Sequence, residues 1–348
     1  MSNTDNTPSP IRVSFAALDP YLEISIPEPV QKERSGKRYI PYGVDNLYPQ
    51  YLLTLYETCS TLQAIIDGNV NYVMGDDVTV TGDMDKEKTI EALTEAVRDY
   101  YIFGYAFLQV RKNALGGIYD IIHLPAEFIR TDKEHQIFLY SEKWDRGGSQ
   151  KAAVYPLFMR ESQDSSGIVM IGRGRGTYPA PRWRGAIKDV EIERNIEEFH
   201  LSELQNNFLS SAIVNFNNGV PADTEKAEIE QNMQEKFSGS SNGGRMMLCF
   251  NNNVQNRTTV ERLSSDNFDT RYQALASRSR EQIFISFKAQ PILFGLTSET
   301  NTGFSTQEFG DLFRLYNKTM ISPVQDMLRR VMAHIYGADV IKITPFAL

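Results

Sequence analysis

Cysteine is scarce in this chain, with two among 348 residues, Cys59 and Cys249. Each sits inside an apolar stretch, the setting of a buried reduced thiol rather than a disulfide framework, and a reducing cytoplasm fits that usage. Histidine is nearly as sparse: His123, His135, His200 and His334 lie far apart, without the close spacing of a metal site. No apolar run approaches the roughly 18–20 residues that span a bilayer, so no membrane partner is expected. The segment Met1–Pro10 lacks the basic start and apolar core of a signal peptide and reads as a disordered arm. An excess of positive charge is missing as well: 36 Lys and Arg stand against 44 Asp and Glu, a net charge of -8. That balance excludes a broad surface that grips nucleic acid, but not a wall past which DNA slides.

Catalytic signatures are also wanting. Gly172-Arg-Gly-Arg-Gly176 has neither the GxGxxG spacing nor the Lys-Ser/Thr of a phosphate loop, and Gly36-Lys37-Arg38 has no upstream glycine partner. No GxSxG elbow occurs. Asp76-Asp77 and the run Asp83 to Glu87 form an acidic turn. It reads as a solvated turn, with the paired carboxylates of a nucleic-acid-processing enzyme as the alternative. Cofactors are not implied.

What the chain does have is pattern. Hydrophobic content of 41% and charged content of 23% suit a folded protein with more than one subdomain. Residues 1–187 alternate helix and strand signals. A stripe of Leu52, Leu55, Cys59, Leu62, Ile65 and Ile66 predicts a helix ending near Gly68 or Gly75, and a second helix is expected over Asp85 to Tyr101. Strands are expected over Ala106–Arg111, Ile118–Leu124, Gln136–Tyr140 and Ala153–Met159, with Gly116-Gly117 turning the first hairpin. The basic Pro/Gly-rich stretch from Ile171 to Arg184 reads as a boundary loop.

A long helix is then expected over 188–216, its first half acidic through Glu191, Glu193, Glu197 and Glu198. As an exposed face it is either ordinary solvated surface or a lining that repels phosphate. Asn217 to Pro221 breaks it, and a small insert follows: a polar helix from Asp223 to Phe237 and strands over Arg245–Phe250 and Thr258–Leu263. A second long helix carries Phe268, Tyr272, Leu275, Ser279, Ile283 and Phe287 and stops at Pro291. Gly295 to Phe304 is a short polar loop. A last helix opens with the capping-box pair Ser305 and Glu308 and runs a stripe of Phe309, Leu312, Phe313, Tyr316, Met320, Val324, Leu328, Val331 and Ile335. Pro323 inside that stripe predicts a kink.

The order of these parts, together with the local text Phe199-His-Leu-Ser-Glu-Leu-Gln-Asn-Asn-Phe208, Asn215 to Pro221, Pro291-Ile-Leu-Phe-Gly295, Phe304-Ser-Thr-Gln-Glu-Phe309 and Tyr316 to Pro323, resembles the tailed-bacteriophage portal protein family over residues 45–335. The resemblance implies an α+β fold: a mixed α/β wing (1–187), a first stem helix (188–216), an α/β clip (217–265), a second stem helix (266–290), a tunnel loop (291–304) and a long kinked C-terminal helix toward wing or crown (305–348). No large crown domain is expected. It implies a non-enzymatic, dodecameric ring at one capsid vertex, assembled in the host bacterial cytoplasm and carried in the virion. The ring would pass double-stranded DNA, dock the terminase large subunit and a head-tail connector, the latter through the clip, and contact the major capsid protein. Thr297, Ser298, Asn301 and Thr302 would face DNA, between the hinges Gly295 and Gly303. Arg278, Arg280 and Lys288 are candidate channel cations, with an intersubunit ion pair as the other reading of each. A structural head protein without a channel is a further alternative.

Overall fold

The computed structural model describes residues 13–14, 26–82, 84–144, 151–172, 174–205, 212–216, 246–250, 259–262, 268–296 and 306–346. Its contacts divide the chain into two units, Ile26–Glu191 with Arg278–Leu348, and Met1–Ser25 with Ile192–Ser277.

In the larger unit, α1 (Tyr48–Thr58) and α2 (Ser60–Met74) take the place of the single helix expected from the Leu52–Ile66 stripe. Cys59 between them is extended, with φ −111° and ψ 108°, and its N–H still bonds Leu55 O, so the apolar stripe continues across the break. Thr54 and Thr58 both donate their hydroxyls to carbonyls four residues back, a competition that weakens a helix end. Gly75, with φ 68°, terminates α2; Gly68 lies inside it. The strand β2 (Asp77–Val80) leads to α3 (Lys86–Phe103), whose N-terminus is capped by Asp85 accepting from the Lys88 N–H at 3.2 Å. It ends at Gly104, φ 89°.

The central strand β3 (Ala106–Lys112) pairs antiparallel with β4 (Ile118–Leu124) on one side and β8 (Ser166–Ile171) on the other. Being central, β3 is buried at six of its seven positions, and α3 packs on this sheet. A 3-10 turn, Ala126–Phe128, joins β4 to a second sheet of β5 (Ile129–Thr131), β6 (Ile137–Tyr140) and β7 (Ala153–Pro156). The helix α4 (Ile187–Gln205) follows a 3-10 turn over Arg182–Ala186.

Downstream, this unit takes up the C-terminal half of α5 (Phe268–Phe287) and a 3-10 turn Pro291–Phe294. Then come α6 (Thr306–Tyr316), a π turn Asn317–Ile321, α7 (Ser322–Tyr336) and β12 (Ile341–Thr344), which pairs with β2. One hydrophobic core joins Leu52, Leu62, Ile65, Phe103, Phe107, Trp183, Phe287, Leu328 and Met332.

In the smaller unit, the sheet order is β1 (Val13–Ser14), β10 (Met246–Phe250), β9 (Ala212–Phe216) and β11 (Thr259–Arg262), with β9 and β10 parallel and the other pairs antiparallel. The long helix expected through residue 216 is corrected here, since α4 ends at Gln205 and 212–216 is a strand. Ala-Ile-Val-Asn-Phe satisfies helical spacing, but its β-branched and aromatic residues favour a pleated surface once two strands flank it. Also in this unit, Phe199 stacks on Tyr272 with ring centroids 5.0 Å apart. The expected polar helix over Asp223–Phe237 lies outside the described residues.

A buried guanidinium fastens the larger unit. Arg130 on β5 is 0% exposed. It donates to Asn46 Oδ1 at 2.9 Å, Asn46 O at 2.7 Å, Ile129 O at 2.8 Å and Glu127 O at 3.0 Å, and lies 5.1 Å from the Trp144 ring centre. It thereby ties the turn-rich segment before α1 to the second sheet. Arg130→Ala is expected to cost about 3–5 kcal/mol in urea unfolding, because several buried acceptors lose their donor together. Arg130→Lys is expected to recover less than half of that, since an ammonium lacks the planar fork.

Candidate functional site

The residues around the loop at 297–305 are placed by α2. The end of α5 is closed by two backbone bonds, Lys288 N–H to Ile285 O at 2.9 Å and Ala289 N–H to Phe284 O at 3.0 Å. These are the paired bonds of a Schellman motif, and they put Lys288 in the left-handed region at φ 53°. The chain then turns through Pro291–Phe294 and Gly295, whose φ is 78°. Phe294 sits directly over Gly68, where an added Cβ would lie 2.7 Å from the ring. Its ring also meets Tyr72 at 5.8 Å, Phe284 at 5.9 Å and Tyr316 at 6.0 Å, each edge to face or nearly so. The Tyr72 hydroxyl donates to Leu293 O.

Beyond the loop, α6 and α7 return to the same side of α2. The buried Tyr316 hydroxyl donates to Asn69 Oδ1 at 2.6 Å, and Gln325 Nε2 donates to Val73 O at 3.0 Å. Burial pushes the Tyr316 and Tyr72 phenols up, so both are neutral hydrogen-bond donors across the ordinary pH range. The expected stripe is realised: Phe313, Tyr316, Met320, Val324, Leu328 and Ile335 are buried. The expected kink takes a specific form. Ser322 N–H bonds Asn317 O, five residues back, closing a π turn just before Pro323. Pro323 thus occupies the first turn of α7, where its missing N–H costs least.

Thr297, Ser298, Asn301, Thr302 and Ser305 lie outside the described residues; Glu308 is exposed in the first turn of α6. Arg278 and Arg280 are exposed on α5, and Lys288 is exposed just past its end. At 3.6 residues per turn the two arginines stand about 200° apart around the helix, so they do not share one face.

The acidic face is corrected. Glu191 is 4% exposed and Glu193 3%, whereas Glu197 and Glu198 are exposed. The Glu191 carboxylate is held inside by the Tyr51 hydroxyl of α1, at 2.9 Å. The helical spacing gives the reason: Glu191 with Glu198, and Glu193 with Glu197, fall on roughly opposite sides of α4, so the four cannot present one surface.

The acidic turn resolves into local structure. Asp85 is the cap of α3, and Asp77 accepts from Thr79 Oγ1 at 2.9 Å. Among the described residues, no group of three or more His, Cys, Asp or Glu is gathered as for a metal ion, and no helix is long and apolar enough to cross a membrane. Sequence reasoning missed the receiving residues Gly68, Asn69 and Tyr72. The available signal was Gly68 itself, a glycine within an otherwise continuous stripe that reads as a stop but serves as a contact point for an aromatic ring.

No protein-family model matches the chain, and no curated protein matches it. Solved structures do. The chain is similar to a component of the neck of an empty gene transfer agent particle computed with C6 symmetry, with TM-score 0.56 and 11% identity over 85% of this chain and 84% of that one. It is similar to a component of the native gene transfer agent virion, with TM-score 0.53 and 12% identity over 84% and 83%. It is also similar to an HK97 family phage portal protein from Corynebacterium diphtheriae, with TM-score 0.52 and 10% identity over 84% and 95%. The fold is therefore a portal-like α+β fold.

Lys288 yields a direct test. Glycine at the position after the cap adopts the left-handed conformation without a Cβ penalty, so Lys288→Gly is expected to raise stability by about 0.5–1 kcal/mol in urea unfolding. A loss of stability would mean that the side chain makes a contact worth more than the backbone strain.

Proposed function

We propose that this chain is the subunit of a portal-type ring in a phage-like particle, a structural part of the virion rather than an enzyme. The supporting observation is that the fold likeness covers 84% or more of this chain and 83% or more of each compared chain, so the stem-like helices and the wing-like α+β unit are matched together. In this reading the smaller unit is the clip and docks a head-tail connector. The larger unit is the wing, and α2 carries the 297–305 segment toward a channel. Thr297, Ser298, Asn301 and Thr302 then meet double-stranded DNA with short polar groups that hydrogen-bond phosphate without reading bases. Arg278, Arg280 and Lys288 supply scattered positive charge, while the overall net charge of -8 keeps DNA from sticking. Terminase and the major capsid protein are the remaining partners.

Closed rings need a heterologous interface whose rotation closes. Negative-stain microscopy of the purified chain is expected to show annular particles with a central opening, of one copy number and with twelve expected. Only monomers or dimers over a wide range of concentration and salt would contradict the proposal.

A further inference from the structure

A cluster of ionisable groups lies apart from the loop, beneath the segment that Arg130 fastens. Asp99 on α3 is 8% exposed, and its Oδ2 accepts from His123 Nε2 of β4 at 2.7 Å and from the Ala126 N–H at 2.9 Å. Asp99 therefore pins the start of the 3-10 turn Ala126–Phe128. The next residue, Glu127, is half-buried, and its backbone carbonyl accepts from both Arg130 at 3.0 Å and Gln50 Nε2 at 2.8 Å. The turn is thus a hub: a carboxylate and an imidazole hold one side, and the other side holds the segment before α1 and the first turn of that helix.

Two carboxyl groups so close, with a single imidazole between α3 and the turn, cannot both ionise without cost in a poorly solvated site. The charged and titratable groups facing them are Glu57 on α1, Glu95 on α3, His123 on β4, Arg130 on β5, Tyr105 just before β3 and Tyr140 on β6. Only one cation, Arg130, is fixed among them, and its bonds in the site go to neutral oxygens.

We propose that Asp99, His123 and Glu127 form a proton-binding latch that holds the Tyr39–Gln50 segment against the second sheet in its protonated form and slackens when it ionises. Burial first, and the Asp99 carboxylate second, push Glu127 from its ordinary 4.5 up to about 7. Burial pushes Asp99 up as well, against the pull of His123. Because the folded chain holds the Glu127 proton more tightly than the unfolded chain does, this contribution to stability is full below about 4.5. It is lost as pH rises through about 7.

The test follows amide exchange of the full chain at Ile40, whose N–H bonds Thr131 O, and at Tyr42, whose N–H bonds Asn46 Oδ1. After correction for intrinsic exchange, protection in the wild type is expected to fall about tenfold or more between roughly pH 5 and pH 8. In Glu127→Gln, which keeps the shape and stays neutral, it is expected to be flat and at the acid level. Carbon-detected titration of Glu127 gives a second readout: Asp99→Asn is expected to lower its midpoint. The same pH slope in wild type and Glu127→Gln, or a Glu127 that titrates in the ordinary carboxylate range, would overturn the proposal.

Discussion

One side of α2 sets the position of the whole C-terminal region of the larger unit. Gly68 receives the Phe294 ring, Tyr72 holds the Leu293 carbonyl, Asn69 holds the Tyr316 hydroxyl, and the Val73 carbonyl is bonded by Gln325. These contacts fall before the loop at 297–305, after it, and beyond the π turn. A glycine is required at the first because any side chain would meet the ring; polar partners are required at the others because the groups are buried and would otherwise be left unbonded. The aromatic contacts of Tyr72 with Phe294, Phe313, Tyr316 and Phe346 fill the space between them. Both ends of the loop are thus anchored to one helix, and in the proposed ring that anchoring sets how far the loop reaches.

Polar burial elsewhere follows the same logic of fastening irregular backbone. Lys112 is buried and donates to three carbonyls, those of Met159, Arg160 and Ser162, at 2.7–2.9 Å. It ties the segment after β7 to the central sheet much as Arg130 ties the segment before α1. In both cases a cation is satisfied by backbone oxygens, and loss of the cation orphans several acceptors together. The extended segments of this unit depend on a few such groups.

Much of this was legible in the sequence, for identifiable reasons. The stripe from Phe309 to Ile335 is long and strongly periodic, and it survives a change of helical register at 317–321 because the π turn occupies the same path. The β3–β4 hairpin was legible through Gly116 and alternating runs. What failed was local text with two readings. Ala212–Phe216 fits helix or strand by spacing, and only its neighbours β10 and β11 decide. The strands β2, β8 and β12 are short, and β2 and β12 find each other across most of the chain, which no local pattern encodes. The glutamates of α4 were grouped by composition, whereas helical geometry separates them and Tyr51 draws Glu191 inward. The receiving face of α2 was illegible because its partners lie more than two hundred residues away.

The central claim is that the portal-like fold serves a closed ring whose channel is met by the loop that α2 anchors. A cryo-electron microscopy reconstruction of the assembled protein tests it most directly. The account predicts cyclic symmetry, with residues 296–306 turned toward the axis in every subunit. An assembly without a closed rotation axis, or one that carries this segment on its outer surface, would contradict it.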